Sequence, residues 1–436
     1  MKFFHLADLH LGKTLHERDL TPDQEHALEA VLDAARAERP ACVIMAGDIF
    51  DRAVPPTEAV RLLGRFVTGL KDIDPDLAVA IIPGNHDSAP RLSFLSGVLG
   101  MAGVHVRAEA GESVTPVRIR RDGESARLWL LPFLMAGAFP VSGDGANGTP
   151  ETAPEERPAD PGLGELFDAA DRDNPVSAPG VPVEAAQAQI LRSQAELFAR
   201  AMADLDAARE RERSAERDDA SAADILVCHA FVAGGQSGDS ERAFLGTAEL
   251  VDASLCAGFD YVALGHLHRP QAAGRNGRYP GSLLAYSFGD AGPERGFLSV
   301  EVKSGSFEAR FIPIAPLRRM IRIDSSFESA LSDPRWKQVE GDYVEALLED
   351  ADTVLNPVDA LRRRFPFLLS VRQAAFERLR AGPADLPVPE DASGPGDTVS
   401  DYREFFSQMR GEAPDDEDLR LFTGLLEEVR RAADQA

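Results

Sequence analysis

Five apolar runs in this chain each end in side chains that can hold metal ions. They read HLADLH (Asp8, His10), CVIMAGDIFD (Asp48, Asp51), VAIIPGNHD (Asn85, His86, Asp87), ILVCHAF (His229) and YVALGHLH (His266, His268). In a strand, positions i and i+2 point to the same side. Both rings of the last run can therefore reach one small object just past the strand end. In an α/β sheet, ligands bind beyond the carboxyl ends of the strands, so the five tips can converge on one site. One histidine at a strand end is ordinary polar surface, but five clusters of this kind are not explained that way.

The donor set contains carboxylates, an amide oxygen and imidazoles, and no thiolate. That suits Mn²⁺, Fe²⁺ or Zn²⁺, and Mg²⁺ less well because of the imidazoles. Seven ligands (Asp8, His10, Asp48, Asn85, His229, His266 and His268) are too many for one ion and suit two ions sharing a bridge. A carboxylate is the natural bridge, and Asp48 has the position for it, because Gly47 before it allows a close backbone turn. Two ions about 3.5–4 Å apart would activate a water and clamp an in-line displacement at phosphorus.

The runs DLH, GDIFD, GNHD, CH and GHLH, in this order, resemble the five motifs of the calcineurin-like metallophosphoesterases. The wider stretches MKFFHLADLHLGK, IIPGNHDS, CHAFVAGGQSGDSER and GFDYVALGHLHRPQ are similar to the SbcD family of DNA-repair nuclease subunits. The resemblance covers about 1–140 and 225–300, and the tail in pattern only. It implies one ion on Asp8, His10, Asp48 and His268 and another on Asp48, Asn85, His229 and His266, with Mn²⁺ as the expected metal. It also implies that His86 orients the phosphate or protonates the leaving oxygen, with Asp87 or Asp51 holding its ring. Archaeal and eukaryotic relatives carry a second histidine where this chain has Asp51, which puts a direct DNA contact there in doubt. His16, after the first motif, and Arg269, after the last, are candidates for touching substrate; the alternative is that both are solvated loop residues.

The elements that must position these tips are legible. KFFHLA, ACVIMAG and LAVAIIPG read as strands, alternating with helical patterns over TPDQEHALEAVLDAARAE and PTEAVRLLGRFVTGL. Thr21 reads as the N-cap of the first helix, with Pro22 following and Gln24 as the capping-box partner. The βαβαβ order predicts a largely parallel sheet flanked by helices. ADILVCHAF and GFDYVALGHLH return to strand after a long helix over 184–217, and a hairpin turns at Gly305. The fold class expected is α/β: a metallophosphoesterase β-sandwich flanked by helices, with a small α/β capping domain and C-terminal helices.

The expected domain limits are 1–316 for the nuclease domain, with an acidic surface insert at 141–183. A DNA-positioning cap follows at 317–380, then a linker at 381–397 and a helical partner-binding segment at 398–436. In that segment Tyr402, Phe405 and Phe406 share one face, and Leu421, Phe422 and Leu425 another. So short a segment cannot bury two apolar faces alone. The resemblance implies that they dock on the coiled-coil base of an SbcC-type ATPase, in an assembly with a homodimer of this chain.

Composition bounds the alternatives. The net charge of −26 argues against a simple nucleic-acid binder. Its acidity, however, is concentrated in 141–224 and 381–436. Cys42, Cys228 and Cys256 are widely spaced among apolar residues and read as reduced thiols of a cytoplasmic protein. Asp8 and His10 stand where a secretion signal would carry its apolar core. The expected activity is a double-strand 3′–5′ exonuclease and single-strand or hairpin endonuclease acting in DNA break processing. The alternatives are a small-molecule or protein phosphoesterase of the same superfamily and a non-catalytic DNA-end scaffold.

Overall fold

Phe3 and Phe4 are adjacent, both fully buried, and packed into two different cores. That alternation organises the molecule. The computed structural model describes residues 1–139, 193–215, 222–232, 250–292 and 294–375, with 402–403, 406, 414–415 and 418–424 of the tail. The expected insert at 141–183 and linker at 381–397 lie outside the described residues, as do Phe405 and Leu425.

The first sheet contains β1 (Lys2–Leu6), β4 (Cys42–Ala46), β5 (Ala78–Ile82), β6 (Val104–Val106), β13 (Gly296–Lys303) and β14 (Ser306–Pro313), in the order β14-β13-β1-β4-β5-β6. The second contains β7 (Val117–Arg121), β8 (Glu124–Leu131), β9 (Ala223–His229), β10 (Tyr261–Gly265), β11 (Gln271–Ala273) and β12 (Gly277–Tyr279), in the order β11-β12-β10-β9-β8-β7. A small hairpin, β2 (Thr14–Leu15) with β3 (Arg18–Asp19), follows the first motif. A largely parallel sheet is the sequence expectation. The structure keeps parallel centres, β1-β4-β5-β6 and β8-β9-β10-β12. It adds antiparallel strands at the edges, where hairpins such as β13–β14 need only a tight turn.

The sheets pack face to face. Phe3, Ile44 and Ala80 of the first meet Leu128, Ile225, Tyr261 and Ala263 of the second. The other face of the first sheet packs on α1 (Thr21–Glu38) and α2 (Thr57–Ile73) through Phe4, Val43, Val31, Phe66 and Leu70. The other face of the second packs on α5 (Gln194–Ala215) through Trp129, Leu226, Phe198 and Leu205. Strands covered on both faces read as unbroken apolar runs, which is why each leads so abruptly to polar residues at its tip. Between β5 and β6 lie two short helices, α3 (Ala89–Leu92) and α4 (Ser96–Met101).

After Pro316 come β15 (Met320–Ser325), α6 (Phe327–Ser332), β16 (Tyr343–Leu348), α7 (Pro357–Arg364) and β17 (Leu368–Gln373). They form a three-stranded sheet with its own core around Ile323, Val344, Leu361 and Phe365. Residues 1–350 and 354–372 nevertheless group into one compact unit. Asp23 on α1 links the parts, accepting Tyr343 Oη at 2.7 Å and Arg318 Nη1 at 3.0 Å. The remainder, 351–353 and 373–436, is a second unit. In it the Tyr402 ring stacks on Phe422 at 4.0 Å and lies 5.7 Å from Phe406, while Leu421 is exposed.

The start of α1 corrects the sequence reading. Its cap position is Leu20, with no side-chain cap bond. Thr21 instead turns back on Asp19, donating its N–H at 2.9 Å and its hydroxyl at 2.6 Å to Asp19 Oδ1. Gln24 forms no capping box because its amide serves the loop after β1, at His10 O and Gly12 N. Among the described residues, no helix is long and apolar enough to cross a membrane.

Candidate metal centre

The tips of β1, β4, β5, β9 and β10 meet at one end of the sandwich. Asp8, His10, His229, His266 and His268 are buried there, with Asp48 buried beside them. The loops interlock through their main chains: Asp8 N–H donates to Gly47 O at 3.1 Å and His10 N–H to Asp48 O at 2.9 Å. His266 N–H donates to the Asp8 carboxylate at 3.0 and 3.2 Å. Four of the donor residues have left-handed backbone: Asp8 (φ 53°), His10 (43°), Asp48 (49°) and His266 (107°). Such conformations are costly for non-glycine residues and cluster at functional sites. Gly84 is packed so tightly that a Cβ would lie 2.2 Å from Asp48 Oδ1. At Gly47 (φ 87°) it would lie 2.2 Å from His229 Nδ1.

Two groups of acceptor atoms result. In one, His10 Nε2 faces His268 Nε2 at 3.2 Å, and Asp8 lies within ligand-sharing distance of both. In the other, His229 Nε2 lies 3.1 Å from Asn85 Oδ1, and His266 Nδ1 lies 3.2 Å from Asn85 Oδ1 and 3.3 Å from His229 Nε2. Asp48 Oδ2 stands between them, 3.6 Å from His10 Nε2 and 3.6 Å from His229 Nε2. Its other oxygen accepts His86 N–H at 2.9 Å.

This atom set fits divalent cations. His229 donates its Nδ1–H to Ala46 O at 2.9 Å, so its Nε2 carries a lone pair aimed at another acceptor, Asn85 Oδ1. Burial, first of all, holds the imidazoles neutral: His229 is pushed down to about 4, His266 to about 3, and His10 and His268 well below the usual histidine value. Burial also raises the Asp48 carboxyl. Neutral rings with converging lone pairs around a buried carboxylate lack positive charge, and a dication supplies it.

His86 sits beside this centre, its ring 4.8 Å from and perpendicular to that of His10. His86 Nδ1 lies 2.9 Å from the main-chain oxygen of Asp51. A carbonyl can only accept, so Nδ1 carries the proton and Nε2 is the basic atom. The two carboxylates considered for holding this ring are engaged elsewhere. Asp51 Oδ1 pairs with Lys13 Nζ at 2.6 Å. Asp87 accepts the N–H groups of Ile49 (2.9 Å), Phe50 (2.8 Å) and Gly84 (2.9 Å), tying two ligand loops together. Burial, then the charge of Asp48, push the Asp87 carboxyl up to about 7.

The substrate candidates are not brought into the cluster. His16 is exposed at the tip of the β2–β3 hairpin. Arg269 donates Nη2–H to Gly289 O at 3.0 Å and braces a turn.

Four supporting residues carry no sequence signal of their role. Gln24 Nε2 donates to His10 O at 2.7 Å while its Oε1 accepts Gly12 N–H at 3.0 Å. Tyr286 Oη donates to Leu9 O at 2.5 Å, with its ring edge-on to His10 and His268. Lys13 neutralises Asp51. Arg295 donates to His268 O. Only Lys13 lies inside a quoted motif stretch; the others are distant in sequence and act on main-chain oxygens.

Known proteins resemble this chain. Residues 1–171 match the family model for calcineurin-like phosphoesterases. The chain is 27% identical over 379 residues to the SbcD subunit of the SbcCD nuclease of Staphylococcus saprophyticus, covering 86% of each. Among solved structures, a dimetal phosphatase from Danio rerio matches with a TM-score of 0.35 at 14% identity, covering 71% of this chain and 98% of that one. Residues 1–171 thus resemble the calcineurin-like phosphoesterases, and the chain resembles an SbcD nuclease subunit over most of its length.

Proposed function

We propose that the chain is a dinuclear-metal DNA phosphodiesterase, a double-strand 3′–5′ exonuclease and single-strand or hairpin endonuclease working with an SbcC-type ATPase. The observation that carries this reading is the placement of Asp48 Oδ2, equidistant from His10 Nε2 and His229 Nε2. One ion is assigned to Asp8, His10, Asp48 and His268, the other to Asp48, Asn85, His229 and His266. Imidazole, amide and carboxylate together suit Mn²⁺, Fe²⁺ or Zn²⁺, and the resemblance to SbcD nuclease subunits favours Mn²⁺ among them. Such ions, when bound, supply Lewis-acid charge at the phosphoryl group and acidify the attacking water.

The chain's own residues do the rest. His86, fixed through Nδ1, presents Nε2 to the substrate; with a proton taken up there, the imidazolium gives it to the leaving oxygen or orients the phosphate. Lys13 offsets the charge of Asp51, so the anion at position 51 need not repel substrate. DNA is preferred over a small phosphoester because the likeness to a nuclease subunit spans 86% of both chains, well beyond the metal domain.

In this reading, 317–380 positions DNA and 398–436 docks on the ATPase, with the exposed Leu421 and the Tyr402–Phe422 stack as part of the contact. Phe94, Leu95, Val98 and Met101 in and around α4 are large, apolar and exposed, which supports a homodimer through that face. Buried thiols at Cys42, Cys228 and Cys256 are consistent with a cytoplasmic setting.

The test is Mn²⁺-dependent cleavage of end-labelled duplex and hairpin DNA, with and without the ATPase and ATP. Cleavage that requires Mn²⁺ and rises with the partner supports the proposal. A chain that binds two ions and splits a simple phosphodiester, yet cuts no DNA under any of these conditions, is a small-molecule phosphoesterase instead.

A further inference from the structure

Behind one histidine of the centre lies a buried cation. Arg295, immediately before β13, is only 7% exposed. Its Nη1 donates to the main-chain oxygen of His268 and, at 3.2 Å, to Ser282 Oγ; its Nη2 donates to Asp290 O at 2.6 Å. The same His268 oxygen accepts Ser282 N–H at 3.1 Å. The chain closes tightly here: a Cβ at Gly281 (φ 76°) would lie 2.6 Å from His268 O.

Placing a cation this deep costs several kcal/mol unless its donors are well used. An apolar side chain would fill the same space at lower cost. What the guanidinium adds is geometry. His268, Ser282 and Asp290 lie in successive stretches of a largely irregular run between β10 and β13, which has no long element of its own to hold it. A planar fork with donors in fixed directions ties such stretches to one another, and the single nitrogen of a lysine cannot span them.

We propose that Arg295 is a positioning residue for the metal centre. Through the His268 main-chain oxygen it fixes the His268 ring against His10, so that the Asp8–His10–His268 half is assembled before an ion arrives. The proposal rests on the two-ion reading above.

Calorimetric Mn²⁺ titration of the full chain, checked by the EPR signal of bound Mn²⁺, tests it without reference to catalysis. The wild type is expected to take up two ions. Arg295→Met should weaken one of them about 10–100-fold and leave the other unchanged, the range expected when support for a ligand is removed. Arg295→Lys, which keeps the charge and loses the fork, should behave similarly. In a His268→Ala background, Arg295→Met should add less than about a twofold further loss, because the two changes act on the same ligand. Two ions bound with wild-type affinity in either folded Arg295 variant would overturn the proposal. So would an undiminished effect of Arg295→Met in the His268→Ala background, which would mark a general structural role. If Arg295→Met does not fold, Arg295→Lys decides. A wild type that binds fewer than two ions would sink the two-ion reading itself, a result separable from failure of the Arg295 variants alone.

Discussion

The main-chain oxygen of Asp51, not its carboxylate, holds His86: His86 Nδ1 lies 2.9 Å from Asp51 O, whereas Asp51 Oδ1 lies 2.6 Å from Lys13 Nζ. Asp51→Asn keeps that carbonyl. DNA cleavage by this variant is therefore expected to stay within about tenfold of wild type, while His86→Ala loses about 10²–10⁴-fold. Single-turnover cleavage at saturating Mn²⁺ checks both, with Mn²⁺ binding unchanged in each. A collapse of activity in Asp51→Asn would return a chemical role to the carboxylate.

Asp48 and Asn85 should differ in how many ions they control. Asp48 Oδ2 faces both acceptor groups, whereas Asn85 Oδ1 faces only His229 and His266. Asp48→Ala is expected to abolish binding of both ions and Asn85→Ala of one. Metal content after dialysis, measured by mass spectrometry, reports the count.

Asp87 is expected to matter for stability more than for chemistry. Removing its carboxylate leaves the N–H groups of Ile49, Phe50 and Gly84 without their acceptor. Asp87→Ala should cost about 2–4 kcal/mol. Denaturant unfolding in EDTA measures this directly, and a loss under about 0.5 kcal/mol would show that the turn holds without it.

Acid sensitivity should trace in part to His5, which is fully buried, 2.9 Å from Tyr261 Oη across the two sheets. Burial pushes its pKa down to about 3 from 6.5. As pH falls through the unfolded value, the unfolded chain takes up a proton that the folded one refuses. Stability from this group is thus full above about pH 7 and is lost on acidification. The loss is about 2 kcal/mol by pH 5. His5→Gln should lose less stability than wild type between pH 7 and pH 5, compared in EDTA so that ion release does not contribute.

The exposed face at α4 yields a prediction for assembly. Val98→Glu with Met101→Glu places two charges among Phe94 and Leu95. Sedimentation should show a dimer for wild type and a monomer for the double variant, with Mn²⁺ binding kept. A wild-type monomer would remove this face from consideration.

The cluster of candidate ligands was legible because each of its residues ends a strand buried on both faces, so the change from apolar run to polar tip is abrupt in the sequence. The helix over Thr21–Glu38 was legible from its period, and the turn at Gly305 from its glycine. The purpose of Gln24 was not. Its place three residues after Thr21 resembles a capping box, but His10 O and Gly12 N claim its amide from across the loop. Tyr286 and Arg295 were hidden for a related reason: both donate to main-chain oxygens, and such contacts leave no pattern in residue type or spacing. Apart from the hairpin at Gly305, the antiparallel strands at the sheet edges were not read from the sequence, since pairing direction depends on connections that only the folded chain makes.

The proposed centre draws its candidate ligands from both sheets: Asp8, His10, Asp48 and Asn85 from the tips of the first, His229, His266 and His268 from those of the second. Residues as far apart as His10 and His268, 258 positions in sequence, must meet to complete it. No unfolded stretch of the chain offers such a set, so ions held by it would bind the folded sandwich alone. Each tenfold rise in free ion above its dissociation constant then adds about 1.4 kcal/mol to stability. Ions bound in this way would act as removable rivets between the halves of the sandwich. The expected consequence is that the lifetime of the chain against proteolysis follows metal supply, so that scarcity of the ion removes the protein as well as its activity.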